Sequence, residues 1–256
     1  IIFWMKYFDA NTWIGRWPFA FLEDHDAQSL TAHLRAHGIG RALVSPLDAV
    51  FAPEPGPANH QLLQTTRGIT ALVPVPVINP ALANWREELA VVAADRRVKA
   101  IRLLPRYHNY RLKAAAVREL VAETTRRHLQ LIVQVRLIDE RHEFHAMNLK
   151  PVPTAELAAF LRANSRVPVL ASGPLRAEIL PLAPAHPNLL ADLSFAEWHD
   201  TIPHLLAKVA VKQLAFASHT PFLVTSAARE KLDRSETTVA KRSAIAAGNL
   251  ERFLKS

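Results

Sequence analysis

The sequence predicts an α/β protein with a single (β/α)8 barrel domain over residues 1–256. Short β-branched or apolar runs alternate with longer segments of helical spacing along the whole chain. The order β then α repeats, and the strand runs number eight. A length of 256 residues is also the usual size of eight β/α units, about 250 residues.

The expected strands are Lys6 to Ala10, Arg41 to Ser45, Ala71 to Val75, Lys99 to Leu103, Leu131 to Val135, Pro168 to Leu170, Leu189 to Asp192 and Gln213 to Ala217. The first clear helix runs from Gln28 to His37 and stops at Gly38, a residue free to take the left-handed turn that ends a helix. Val117, Leu120, Val121 and Thr124 share one face of another helix, with Glu119, Glu123, Arg126 and Arg127 away from it. Further helices are expected over Thr154 to Asn164, Leu175 to Ala183, His199 to Val209 and Ala240 to Lys255. Pro153, Pro168, Pro174 and Pro187 punctuate the joins.

The competing architecture is an open doubly wound sheet. Its dinucleotide-binding form needs G-x-G-x-x-G after a strand, whereas Gly38-Ile39-Gly40 follows a helix and precedes a strand. The chain has only seven glycines, with no P-loop and no G-x-S-x-G elbow.

Composition removes several kinds of chemistry. With no cysteine there is no disulfide, thiolate zinc site, iron–sulfur cluster or cysteine nucleophile. The longest apolar stretches, such as Ala71 to Ile78, fall far short of the ~20 residues that cross a bilayer. Ile1-Ile2-Phe3-Trp4 lacks a basic leader and is too short for a signal-peptide core, and Met5-Lys6-Tyr7 reads as a natural start. A soluble, cytoplasmic protein with no membrane partner is expected. Thirty-one Lys plus Arg against 23 Asp plus Glu give a charge of +8. The basic residues are scattered in pairs such as Arg96-Arg97, Arg126-Arg127 and Lys241-Arg242, with no run of five, so no nucleic-acid partner is expected.

The strand ends carry a resemblance. Phe8-Asp9-Ala10-Asn11-Thr12-Trp13-Ile14-Gly15 is similar to the first strand of the amidohydrolase-related proteins, in their amidohydrolase 2, decarboxylase-like branch, which usually read D-x-H-x-H-x-G. Gly38-Ile39-Gly40-Arg41-Ala42, Asn79-Pro80 and Lys99-Ala100-Ile101-Arg102-Leu103-Leu104-Pro105 follow in the family's order. Phe216-Ala217-Ser218-His219-Thr220-Pro221-Phe222 resembles the family's F-G-S-D-x-P-F, and Gly248-Asn249-Leu250-Glu251-Arg252-Phe253 its N-A-x-R-L-F.

The resemblance implies a (β/α)8 barrel with a divalent metal held by two histidines of strand 1, one of strand 5, often one of strand 6, and an aspartate of strand 8. Here the strand 1 positions are Asn11 and Trp13, strand 5 offers Gln134 or Arg136, strand 6 offers Ser172, and strand 8 has His219. An indole has no lone pair for a metal, and a guanidinium opposes a cation. No metal and no cofactor is therefore expected at this site.

His219 is the candidate catalytic residue, because imidazole can carry a proton near neutral pH; the competing reading is a histidine that only hydrogen-bonds in a polar cavity. Ser172 is a conceivable partner, while Ser218 is expected to face away. Arg102 and Arg136 suit a carboxylate or phosphate ligand, or else internal ion pairs with Asp9, Asp192 or Asp139. Tyr107 and His108 follow strand 4 where the family places substrate contacts, and they serve either that role or as a cover for the barrel top. Asn11, Trp13 and Gln134 complete the expected substrate-binding set. Trp13, Trp17, Phe19 and Phe51 either wall a pocket for a ring-bearing ligand or repack the space left by a metal. His142 and His145 form an alternative place for a metal in the strand 5 loop.

Two functions follow. One is a metal-independent, lactonase-like hydrolase acting on a small, anionic, carboxylated molecule, with His219 as base. The other is a catalytically silent barrel that serves as a binding protein. Dimerisation fits such barrels, although the sequence shows no interface signal.

Overall fold

The computed structural model describes residues 6–23, 25–139, 144, 147 and 149–256. Eight parallel strands form the inner wall: β1 (Tyr7–Ile14), β2 (Ile39–Pro46), β3 (Leu72–Pro74), β4 (Ala100–Leu103), β5 (Gln130–Gln134), β6 (Val169–Ser172), β7 (Leu189–Asp192) and β8 (Leu214–Ala215). Ladders join β1-β2-β3 and β4-β5-β6-β7-β8. Two narrow seams close the ring. Across the first, the Ala10 amide donates to Phe216 O at 3.0 Å and the Trp13 amide to Thr220 O at 2.9 Å. Across the second, the Arg102 amide donates to Pro76 O at 2.8 Å and the Ile78 amide donates to Arg102 O at 3.1 Å.

The outer layer comprises α1 (Ala27–Ala36), α2 (Gly56–Thr65), α3 (Trp85–Ala93), α4 (Ala115–Arg126), α5 (Thr154–Ala163), α6 (Arg176–Ala185), α7 (Thr201–Leu206) and α8 (Thr225–Asp233). The chain ends in α9 (Val239–Ser243) and α10 (Asn249–Phe253), joined by a wider π turn. Asp26 caps α1 through bonds from the Gln28 and Ser29 amides, both 2.8 Å. Gly38, at φ +68°, ends it as the sequence predicts. The helix α2 opens on Gly56-Pro57, a turn-like pair that conceals a proline suited to a first helical turn. The expected helix His199 to Val209 shrinks to α7, because Asp200 takes a left-handed conformation at its start.

The main core lies between strands and helices. A second cluster fills the barrel's lower interior, where Phe8, Leu43, Val73, Ile132 and Leu170 meet Leu250 and Phe253 of α10. Above it the inward positions turn polar. The pairing of β1 with β2 shifts register between Asp9 and Thr12. That irregularity lets Ala10 join the apolar layer while Asn11 and Trp13 both reach the layer above. No helix among the described residues is long and apolar enough to cross a membrane.

Candidate functional site

The strand ends meet in a closed polar layer with Asn11 at its hub. Asn11 Nδ2 donates to Asp192 Oδ2 at 3.0 Å and to His219 Nδ1 at 2.8 Å. Its Oδ1 accepts from Trp13 Nε1 and from Arg102 Nη1, both at 3.0 Å. Two donors and two acceptor sites are the whole capacity of an amide side chain, so Asn11 is saturated.

Arg102 fills the middle of the layer. Its Nε donates to Ser45 Oγ at 2.9 Å, and its Nη1 also reaches Gln134 Oε1 and, at 3.4 Å, Ser172 Oγ. The guanidinium carbon stands 4.4 Å from the centre of the Trp13 ring. Burial pushes Arg102 down to about 9, with Asp192 and Asp9 opposing the shift, so the group stays charged at neutral pH. Asp192 is secured by the Gly173 amide, the Ser194 amide and the Ser194 hydroxyl.

His219 is fully buried and both ring nitrogens are engaged. Asn11 donates to Nδ1, so the proton sits on Nε2 and is given to Leu137 O. Burial lowers its pKa to about 3; the bond to Leu137 opposes the shift and the Arg102 charge adds to it. The ring is neutral at physiological pH, and its one lone pair is already used. The Ser172–His219 pair does not form, because neither ring nitrogen is free. Ser218 turns away, with its hydroxyl 2.6 Å from that of Thr220.

Asp9 lies beside this layer. Its Oδ1 accepts from the Asn11 and Ser218 amides at 3.0 Å each, while Oδ2 is buried without a partner. Burial raises its pKa to about 7. Arg102 Nη2 is the matching buried donor without a partner.

The other expected ligand contacts are drawn off. Arg136 donates to Gly173 O at 2.9 Å and pairs with Glu178 at 3.1 Å, a partner on α6 that the sequence reading did not include. Gly173 is required there: at φ +78°, a Cβ would stand 2.2 Å from Arg136 O. Gln134 Nε2 donates to Arg136 O at 2.7 Å. His108 Nε2 is tied to Ala49 O at 3.0 Å, and burial lowers its pKa. Beside Gln134 and Arg136 the free space is about 10 Å³, barely the room of one water. His142 and His145 lie outside the described residues, among which no group of three or more His, Asp or Glu could hold a metal ion.

This donor set does not suit a divalent cation. Asp192 and Asp9 bring carboxylates to the layer, but the central Arg102 guanidinium offsets their charge, and the other members are a saturated amide, an indole and a histidine with its lone pair committed.

Above the layer lies an aromatic cap. Trp17 contacts Phe19, Phe51 and Phe222 at centroid distances of 5.7, 5.3 and 5.1 Å; Tyr107 packs on Phe51 and Phe222 stacks on His219. The loop after β1 borders an open pocket of about 560 Å³ lined by Trp17, Phe19, Phe21 and Leu22, with Arg16 and His25 as its charged and polar members. Ser45 and the Leu137 carbonyl are site members the sequence does not single out, whereas Asp192 is one of the carboxylates expected to face Arg102 or Arg136, and its charge acts on Arg102 with Asn11 between them.

No model of a known sequence family matches the chain, and no curated protein matches it. Solved structures do. The 5-carboxyvanillate decarboxylase of Sphingomonas paucimobilis superposes with a TM-score of 0.76 at 12% identity, covering 98% of this chain and 99% of that one. A dihydroxybenzoic acid decarboxylase from a Polaromonas species, solved with manganese and 2-nitroresorcinol, gives 0.70 at 14% identity over 98% and 97%. A TIM-barrel protein from Bordetella bronchiseptica gives 0.70 at 12% over 98% of each chain. The resemblance read from the strand-end motifs therefore holds at the level of the fold: the chain has the (β/α)8 barrel of these decarboxylases.

Proposed function

We propose that this protein is a metal-independent barrel that binds a small, carboxylated, ring-bearing molecule in the aromatic loop over its mouth, with no hydrolysis at the barrel centre. The observation that carries this reading is the saturation of Asn11. Its four bonds join β1, β4, β7 and the segment after β8, and they leave neither a lone pair for a metal nor a vacant contact for substrate. The loop pocket supports the ligand class. At about 560 Å³ it lies within the range of small-molecule sites, roughly 300–1,000 Å³. Trp17, Phe19 and Phe21 supply ring faces, and Arg16 supplies a fork for a carboxylate. Decarboxylases of the same fold act on carboxylated aromatic rings, which agrees with that choice.

Titration calorimetry with 2,6-dihydroxybenzoate and with resorcinol, which lacks the carboxylate, tests the reading. The acid is expected to bind, resorcinol at least tenfold more weakly, and Trp17→Ala and Arg16→Ala to weaken the acid by a similar factor. Neither carbon dioxide release nor lactone opening is expected, with or without added manganese. Turnover that His219→Asn abolishes would overturn it.

One observation favours the second reading, metal-free hydrolysis. Asp9 Oδ2 and Arg102 Nη2 are an unused buried acceptor and donor, and Asp9 titrates near neutrality. This route requires Trp13 to swing away and admit an ester carbonyl to Arg102. Turnover of simple lactones that Asp9→Asn removes would select it.

A further inference from the structure

The opposite end of the barrel has an opening of its own. The strand β3 is only three residues long. The described backbone bonds that tie it across to β4 all lie higher up, at Pro76, Ile78 and Arg102. Below them the seam between Val73 and Lys99 parts, and a cavity of about 620 Å³ enters the wall there. Phe8 and Val73 of the inner apolar layer lie buried beneath it, and half-buried Ile69 and Leu254 present its apolar surface.

The rim is cationic. The Arg41 guanidinium carbon stands 4.3 Å above the Phe8 ring, and Lys99 and Lys255 reach the same cavity. Among the described residues, no carboxylate lies within ion-pair distance of these three. Arg97, also on the rim, is different: Asp95, Thr66 and Leu63 O satisfy it. Among the described residues, Glu251 is the single acid lining the cavity. An apolar surface beside these three cations, with one acid among them, suits a ligand with an apolar body and one anionic head.

We propose that this cavity is a second binding site, at the strand N-terminal end of the barrel, for a small amphiphile bearing a single carboxylate or phosphate. It is separate from the mouth, where barrel proteins of this kind place their chemistry. The apolar body lies on Ile69 and Leu254, and the head meets Arg41, Lys99 and Lys255.

Titration calorimetry on the whole chain tests this, with decanoate, decyl phosphate and uncharged decanol kept below their aggregation concentrations. Binding of either anion, with decanol at least tenfold weaker, supports the site, and the tighter anion names the head group. The double variant Lys99→Glu, Lys255→Glu is expected to weaken the anion at least tenfold. Thr70→Trp, an exposed change at the entrance, blocks the cavity without touching the core and is expected to abolish binding. Trp17→Ala, at the mouth, leaves it unchanged. Equal binding of decanol, wild-type affinity in both cavity variants, or loss of binding in Trp17→Ala would each overturn the proposal.

Discussion

Asn11 Nδ2 donates to His219 Nδ1 across 2.8 Å and 208 positions of sequence, joining the first strand to the segment after the last. The bond fixes the imidazole as its Nε2–H tautomer and closes the barrel at side-chain level, between the two backbone bonds of the same seam.

Asn11→Ala removes four buried partners at once. Unmade buried bonds cost about 1–3 kcal/mol each, more for charged groups, and the effects of one network do not simply add. A loss of about 3–5 kcal/mol in unfolding free energy is expected from urea denaturation at pH 7.5, with the m-value unchanged.

Arg102 and Asp192 supply opposite charges to the same buried layer, bridged by Asn11. Arg102→Met leaves Asp192 without that cation and is expected to cost about 3–5 kcal/mol. Asp192→Asn in the same chain removes the excess charge. The double variant is therefore expected to be at least about 1 kcal/mol more stable than the sum of the single effects, as a double-mutant cycle reads it.

Asp9 and His219 give stability opposite dependences on pH. The folded pKa of Asp9 is raised from 3.8 to about 7, so the folded chain binds the extra proton between those values and stability falls as pH rises through that window. The folded pKa of His219 is lowered from 6.5 to about 3. Its contribution is complete above pH 6.5 and is lost as pH falls toward 3, by about 4–5 kcal/mol in all. Measured as differences from wild type, Asp9→Asn is expected to gain relative stability from pH 4 to 8. His219→Asn, whose side chain tolerates the left-handed backbone at φ +58°, is expected to gain relative stability as pH falls from 6.5 to 4.

Arg136 tethers the end of β5 to α6 through Glu178 and Gly173. Arg136→Met is expected to lower stability by about 2–3 kcal/mol while leaving the affinity for 2,6-dihydroxybenzoate within twofold of wild type. A tenfold loss of affinity would return this residue to the ligand site.

Much of the barrel was legible because strand runs and helix stops are local signals; Gly38 ends α1 where its position predicts. The helices α2, α3 and α8 were not drawn from the pattern: α2 hides behind Gly56-Pro57, and α8 is mostly polar with only Thr225, Ala228 and Leu232 buried. At the site, strand periodicity brings Asn11 and Trp13 together; Ser218 does turn away, but in the segment after β8, where His219 takes φ +58° rather than a strand conformation. What it does not reveal is the register shift in β1, which puts Ala10 and Asn11 into adjacent inner layers. Nor does it reveal that Arg102 turns inward to Asn11, Ser45 and Gln134 while Arg136 turns to Glu178. Those choices depend on partners from 32 to 91 residues away.

Nitrogen-15 NMR of the His219 imidazole tests the closed centre most directly. A neutral Nε2–H tautomer is expected, unchanged from pH 8 to pH 5 and unaffected by one equivalent of zinc. A titration with midpoint near 6.5, or a shift of Nδ1 on adding the metal, would contradict it.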